Sequence, residues 1–364
     1  MAMRPALKKS VHIYSNATAS SLIMGTRFRR VEFPNRWAQA NTKYRIELFD
    51  GKREVSQIAQ LAGVTQENVA ALIQELRAHN LIDLYRTPIS YLERYNPQSG
   101  QVERIFDIEE FPSDYAIQSF LNRVEVECDA ATFNPGDVDA GRTAVLDRTS
   151  FKILIFGKGK IVNALVGILS AAGFSNVNVI NRLKPRHPAL KILETDIAGG
   201  YVTHQHIGHS RRQTLQELRS SNALFKRQSG EITNPDLVIS IGSPSADAVQ
   251  RWTSEGTPYL LVDIGSSAEV RVGPLVIPGK SPCIRCIDLA ESGDKKIEPI
   301  IEGAEVGAAL SFAIASSIVA DISMISAGEK SVFLATSITY LMSNFHEPMR
   351  QHWGFHPGCG CNWS

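Results

Sequence analysis

Apolar positions change period several times along the chain. Val11 to Asn16, Ser21 to Gly25 and Phe28 to Phe33 are short β-prone runs split by small or polar residues, a pattern that predicts three strands of a meander. Helical spacing follows at Trp37 to Phe49, closed by Asp50-Gly51, and at Glu54 to Ala62, closed by Gly63. A third helix is predicted over Gln66 to Asn80 with Thr65 as N-cap, because Val69, Leu72, Ile73 and Leu76 fall at i, i+3, i+4 and i+7 and commit one face to a core. Three strands and three helices in this order make a small winged helix-turn-helix.

From Phe151 to Asn181 the text FKILIFGKGKIVNALVGILSAAGFSNVNVIN reads as strand, glycine turn, helix and second strand, with Ile161, Leu165, Ile168 and Leu169 on one helical stripe. Buried strands recur at Pro235 to Gly242, Pro258 to Gly265 and Glu269 to Ile277, and Ser243-Pro244 is placed to start a helix ending near Ser254. The pattern predicts an α/β fold with a mostly parallel, Rossmann-type sheet. A β-prone piece at Tyr201 to Ile207 and a helix around Thr214 to Phe225 lie between its first and second halves. Alternation within that piece puts His204 and His206 on one face, but no acid or cysteine completes a metal set with them and His209.

Residues Pro88 to Asp147 carry twelve Asp or Glu against four Arg and no Lys, which reads as an acidic connector, with Val124 to Cys128 as a strand candidate and Cys128 as apolar filler. The domain division is therefore 1–87, 88–147 and 148–364. With 364 residues, 43% hydrophobic, 21% charged and a formal net charge of +1, the composition is that of an ordinary soluble protein and gives no sign of nucleic acid. Behind the first basic residues there is no apolar run long enough for a signal peptide, and Ala308 to Ile325 contains Ser311, Ser316, Ser317 and Asp321, so a cytoplasmic protein without a membrane span is expected.

The glycine turn is the first candidate site. Gly157 and Gly159 would let phosphates approach the backbone, but the third glycine position holds Val162, and the end of the second strand offers Asn181 followed by Arg182 where an acid would hold a ribose. A tight strand-to-helix turn needs the same two glycines. Arg211, Arg212, Arg219, Lys226 and Arg227 read as a solvated helix face. The third helix of the small domain exposes Glu67, Asn68, Gln74, Glu75 and Arg77, a poor surface for DNA. Its neighbouring strand Phe28 to Phe33 could instead accept an extended peptide as an added strand, with Arg27, Arg29 and Arg30 favouring an acidic one. Arginines on an edge strand also serve simply to discourage aggregation.

The cysteines carry the sharper signal. Four of the five form two pairs, Cys283-Ile284-Arg285-Cys286 and Cys359-Gly360-Cys361, able to give four thiolates to one zinc ion. Four sulfur ligands leave no position for water, so the ion would be structural, tying the C-terminus to the end of the sheet. Arg285, His352 and His356 are near in sequence to offset the excess negative charge.

With GPLVIPGKSPCIRCIDL, a long small-residue helix and a closing FHPGCGC in place, the chain resembles the ThiF-like, ubiquitin-activating-type family. More narrowly it is similar to the ocin-ThiF-like, cyclodehydratase C-type proteins that bind leader peptides for YcaO enzymes in clusters making thiazole/oxazole-modified peptides. The likeness runs from about Val11 to Cys361 and takes in a first domain similar to the PqqD-like RiPP recognition element. Active ThiF-like enzymes adenylate a carboxyl terminus and need an acid after the second strand and another at the end of a later one; here those positions are Asn181 and about Ser243. The resemblance therefore implies a non-catalytic scaffold that presents a precursor peptide to a YcaO cyclodehydratase, with no productive ATP binding. Phe28, Arg29, Arg30, Val31, Leu72, Ile73 and Leu76 are the expected leader contacts. The alternative is an ATP-dependent adenylating enzyme acting on a peptide carboxylate. Gly303, Gly307 and Ala308 on the helix expected from Ile301 to Ile325 suit either a homodimer or packing within the domain.

Overall fold

The computed structural model describes residues 3–8, 10–14, 21–33, 45–85, 93–95, 102–104, 113–131, 141–180, 187–197, 201–225, 232–292 and 305–361. The chain divides into two compact units, Met1–Leu146 and Asp147–Ser364.

In the first unit β1 (Arg4–Leu7) pairs antiparallel with β5 (Ile82–Tyr85), and β2 (His12–Tyr14), β3 (Leu22–Gly25) and β4 (Arg30–Phe33) form an antiparallel sheet in that order. Between them lie α1 (Val55–Ala62), closed by Gly63 in the left-handed conformation, and α2 (Gln66–Ala78), whose N-cap Thr65 accepts the Asn68 N–H. Both helices lie where the apolar spacing put them. The helix expected over Trp37 to Phe49 falls largely outside the described residues.

Val69, Leu72, Ile73 and Leu76 of α2 meet Met24 and Phe33 of the sheet and Ile58 of α1 in one apolar core. Burying each large side chain of this kind stabilises the fold by roughly 1.5–3 kcal/mol. A buried pair, Lys8 Nζ to Asp83 at 3.3 Å, is added beside β5.

Two predicted elements of this unit are corrected. Strand β4 begins at Arg30, because Thr26 to Arg29 close a turn in which Thr26 N–H donates to the Arg29 carbonyl and the Thr26 hydroxyl accepts the Arg29 N–H. Val124 to Cys128 is not a strand but part of α3 (Asp114–Ala131), in which Phe120, Val124, Cys128 and Ala131 bury one helical face. Local alternation of Val124, Glu125, Val126, Glu127 imitates a strand, and the longer helical period wins. Strands β6 (Glu93–Tyr95) and β7 (Val102–Arg104) form a hairpin ahead of it.

The second unit begins within α4 (Arg142–Ser150). It is built on β8 (Lys152–Phe156), α5 (Lys160–Ala171), β9 (Asn176–Ile180), α6 (Arg211–Asn222), β10 (Leu237–Ile241), α7 (Ala246–Ser254), β11 (Tyr259–Ser266), β12 (Glu269–Val276), α8 (Ile284–Ser292), α9 (Ala308–Ser326), β13 (Thr336–Leu341) and β14 (Met349–His352). The seven strands run in the order β14-β13-β12-β11-β10-β8-β9. Pairing is parallel from β9 to β11 and antiparallel from β11 to β14, so five strands, β9, β8, β10, β11 and β13, point the same way.

Strand alternation assigns the two faces. Ile153, Ile155, Leu237, Ile239, Leu260 and Val262 pack into the large core under α5, α6 and α9. Val238, Tyr259 and Leu261 point to the opposite side, against Ala248 and Trp252 of α7 and the region of Cys283. Three local predictions are revised here. Tyr201 to Ile207 contains a 3-10 turn at His204–His206 rather than a strand, and the N-cap of α7 is Ser245, which accepts the Ala248 N–H, rather than Ser243. Helix α9 begins at Ala308, and Gly307, just before it, is tied by its N–H to the Ser267 carbonyl.

Helix α9 is long and apolar enough to cross a membrane by length and composition. It packs against α5 and against the sheet, and its buried Asp321 accepts hydrogen bonds from Ser331 Oγ at 2.6 Å and from Val332 N at 2.7 Å. A carboxylate capping the loop that leads to β13 belongs to a protein interior.

Candidate functional site

Two places in the second unit bring chemistry-bearing residues together. One is the crevice at the carboxyl ends of β8 and β10. The chain leaves β8 through α5 to β9 on one side, then returns to place β10 on the other, so strand order reverses there, which is where open α/β sheets form their crevices. Gly157 (φ 141°) and Gly159 (φ 90°) make the turn between β8 and α5. A Cβ on Gly157 would lie 2.7 Å from Cβ of Ile241, so only glycine lets the turn pass the end of β10.

Gly159 is the N-cap of α5 and brings no side chain to cap it. Lys158 is exposed beside it, and Lys160 donates through Nζ to the Val306 carbonyl at 3.3 Å. Val162, in the third glycine position, is fully buried in the core. Ser243 stands exposed just beyond β10, so the end of that strand offers a hydroxyl and no carboxylate. Within the next strand Asp263 is held by Arg271 NH2 at 3.1 Å, and the same guanidinium also bonds Glu291. Asn181 and the nearby Arg182, Lys184 and Arg186 lie outside the described residues; Lys191 is exposed.

Sequence reasoning missed two residues here. Arg211, expected on a solvated face, is buried: its guanidinium bonds both Asp196 oxygens, at 2.9 and 2.5 Å, and the Ala189 and Lys191 carbonyls at 2.7 and 3.2 Å. That ion pair pins the 187–197 segment under α5, where the Asn163 amide also donates to the Asp196 carbonyl at 3.2 Å. The second is Glu305, whose carboxylate oxygen lies 3.4 Å from the position a Cβ on Gly159 would take. Burial first, then the Asp196 charge, raises its carboxyl above the ordinary value, while Lys160, Lys158 and Arg211 pull it back. No local signal links Glu305 to a turn so far away in the chain.

The other place is the cysteine cluster. Cys283 and Cys286 open α8, and Cys359 and Cys361 are brought back by the chain beyond β14. Sulfur separations are 3.3 Å for Cys283–Cys359, 3.3 Å for Cys286–Cys361 and 4.0 Å for Cys283–Cys286, and all four atoms lie within 4.8 Å of one another. Four sulfurs at about 2.3 Å from a tetrahedral zinc would stand about 3.8 Å apart, so the donor set fits that ion. The His356 N–H points at Cys286 Sγ, 3.3 Å away, as backbone donors do around thiolates. Burial raises the Cys359 thiol above its ordinary value, and bonding to neighbouring thiols raises it further; a divalent cation among them would reverse that balance.

Arg285, His352 and His356 are the side chains expected to offset the charge of the cluster. The His352 ring is hydrogen-bonded to Thr336 Oγ1, the His356 ring accepts the Gly358 N–H, and Arg285 is exposed. Among the described residues these four cysteines are the one group placed to share a metal; His204, His206 and His209 form none, and His206 Nδ1 accepts the Thr203 N–H.

In the first unit the expected peptide contacts separate into two sets. Phe28 and Arg29 sit in the β3–β4 turn, with Phe28 89% exposed, and Arg30 and Val31 lie on β4, the edge of its sheet. Arg30 stacks over Tyr14 at 4.4 Å. Leu72, Ile73 and Leu76 are buried in the core beneath.

No family model and no curated protein sequence matches the chain. Solved structures do. Escherichia coli MccB with MccA-N7isoASN superposes with a TM-score of 0.62 at 14% identity, covering 99% of each chain. The chain has the MccB fold. MccB with ATP gives 0.61 at 14% identity over 98% of this chain and 99% of that one, and PaaA gives 0.58 at 13% over 96% and 100%. The likeness runs over both units, at an identity that carries the fold alone.

Proposed function

We propose that this protein is a peptide-holding scaffold of the ThiF-like kind, whose first domain (1–87) captures the leader of a ribosomally made precursor. Beyond the acidic connector (88–147), its body (148–364) serves a YcaO cyclodehydratase that makes the thiazole or oxazole precursors. MccB, of the same fold, is bound to MccA in a solved complex, which supports a peptide as the ligand here. The observation that carries the scaffold reading is the crevice beside Gly157: Ser243 ends β10 where an adenylating site needs an acid, and Asp263 on the next strand is already paired with Arg271.

Leader capture is assigned to β4, whose outer edge has backbone groups to offer an extended chain and whose Arg30, with Arg29 at the turn, suits an acidic segment. Leu72, Ile73 and Leu76 act from below, holding the sheet against α2. Tethering raises the effective concentration of a weakly recognised core peptide at the partner enzyme. Zinc in the cysteine cluster would fix the C-terminus against the start of α8 and supply no reaction, because four thiolates complete its coordination. A homodimer through the exposed start of α9 is compatible with this arrangement.

MccB is also solved with ATP, which favours the second reading, an adenylating enzyme acting on a peptide carboxylate. Fluorescence polarisation of labelled leader peptides encoded beside the gene tests the scaffold reading directly. One leader should bind with micromolar or tighter affinity with no nucleotide present, and failure of every such leader would end the reading.

A further inference from the structure

We propose that Glu305 is an internal substitute for phosphate: its carboxylate occupies the approach to the glycine turn ahead of α5 and excludes nucleotide phosphates from it. The proposal deepens the scaffold reading and rests on it only for the expectation that the turn goes unused.

A helix N-terminus carries partial positive charge and unpaired N–H groups, so it draws an anion. In α5 no side chain of the cap residue meets that need, since the cap is Gly159. The anion that stands there belongs to the chain itself. Glu305 Oε2 comes within 3.4 Å of where a Cβ on Gly159 would be, the space left free for a phosphate in a working turn of this type.

The carboxylate is held in place by its neighbours in sequence. Lys160 Nζ grips the Val306 carbonyl at 3.3 Å, and the Gly307 N–H bonds the Ser267 carbonyl at 2.9 Å, so the segment leading into α9 is fastened across the mouth of the turn. Lys158 and Lys160, the two cations beside the turn, both act on the Glu305 charge. A triphosphate entering here would face the Glu305 carboxylate and would have to take the two lysines from it. Loss of the acid at the strand end removes the ribose anchor; Glu305 then closes the phosphate end as well.

The test is isothermal titration of the full-length protein with Mg·ATP and, separately, with inorganic pyrophosphate. Wild type is compared with Glu305→Gln and Glu305→Ala, and with Glu255→Gln, an exposed acid at the end of α7, as the control for net charge. Both Glu305 variants should bind pyrophosphate and Mg·ATP at least ten-fold more tightly than wild type, and the control should not. Should Glu305→Ala fold poorly, the near-isosteric Gln variant carries the result. Equal affinities in wild type and Glu305→Gln, an equal gain in the control, or weaker Mg·ATP binding on loss of the carboxylate would each overturn the proposal. Pyrophosphate exchange by the wild type counts against the scaffold reading instead and is read in a separate assay.

Discussion

Replacing Arg211 by Met should strip the crevice of its support, and the size of the effect follows from what the guanidinium holds. Arg211 is 1% exposed and makes four hydrogen bonds, two to Asp196 and one each to the Ala189 and Lys191 carbonyls. Met fills much of the volume but leaves Asp196, also 1% exposed, with a buried charge answered, among the described residues, by the Leu193 N–H at 2.8 Å. Breaking a buried pair from one side costs about 3–5 kcal/mol. In a domain of this size each kcal/mol lowers Tm by roughly 2–4 °C, so a fall of about 6–20 °C is expected. Urea denaturation followed by far-ultraviolet circular dichroism measures the free-energy loss, and a thermal melt the fall in Tm. Adding Asp196→Asn to Arg211→Met should recover part of the loss, since no charge is then stranded. A loss below about 1 kcal/mol for the single variant, or no recovery in the double, would refute the reasoning.

Three further outcomes are expected. Cys361→Ser should lower bound zinc from one ion per chain in elemental analysis and lower the thermal midpoint, with chelation of the wild type reproducing the shift, because a structural ion contributes folding free energy. Burial raises the Asp321 carboxyl above its ordinary value even though the bonds from Ser331 and Val332 lower it. A raised acid binds its proton more tightly folded than unfolded, so stability should fall as pH climbs from the unfolded-state value through the folded one, and Asp321→Asn should flatten that limb of a stability–pH curve. Val31→Asp on β4 should weaken leader capture at least ten-fold in fluorescence polarisation while leaving the thermal midpoint within a few degrees.

Where the sequence could be read, a single local period decided the element. The β8–α5–β9 segment declared itself because its alternation, its two glycines and its helical stripe agree; of that stripe Ile161, Leu165 and Leu169 are buried and Ile168 is half-buried, and α5 as a whole is buried almost all round. The cysteine cluster was legible for a different reason: thiols in pairs have few other uses in a chain without a disulfide framework, and the fold brings the two pairs together. Strands β13 and β14 were not picked out, since Thr336 to Leu341 mixes polar and apolar residues and β14 is exposed along its length. Segments whose fate depends on a distant partner were misread. Val124 to Cys128 alternates like a strand over five residues and is helical over eighteen. Arg211 looked like one more surface cation because nothing nearby announces that Asp196 will be folded against it, and Glu305 reaches the glycine turn only through the packing of α9 on α5.

On the scaffold reading proposed above, the second unit holds a peptide and does not activate it. ATP–pyrophosphate exchange, run with purified protein and its bound leader in the absence of any YcaO partner, measures that most directly. No exchange above the protein-free blank is predicted; robust, peptide-dependent exchange would contradict it.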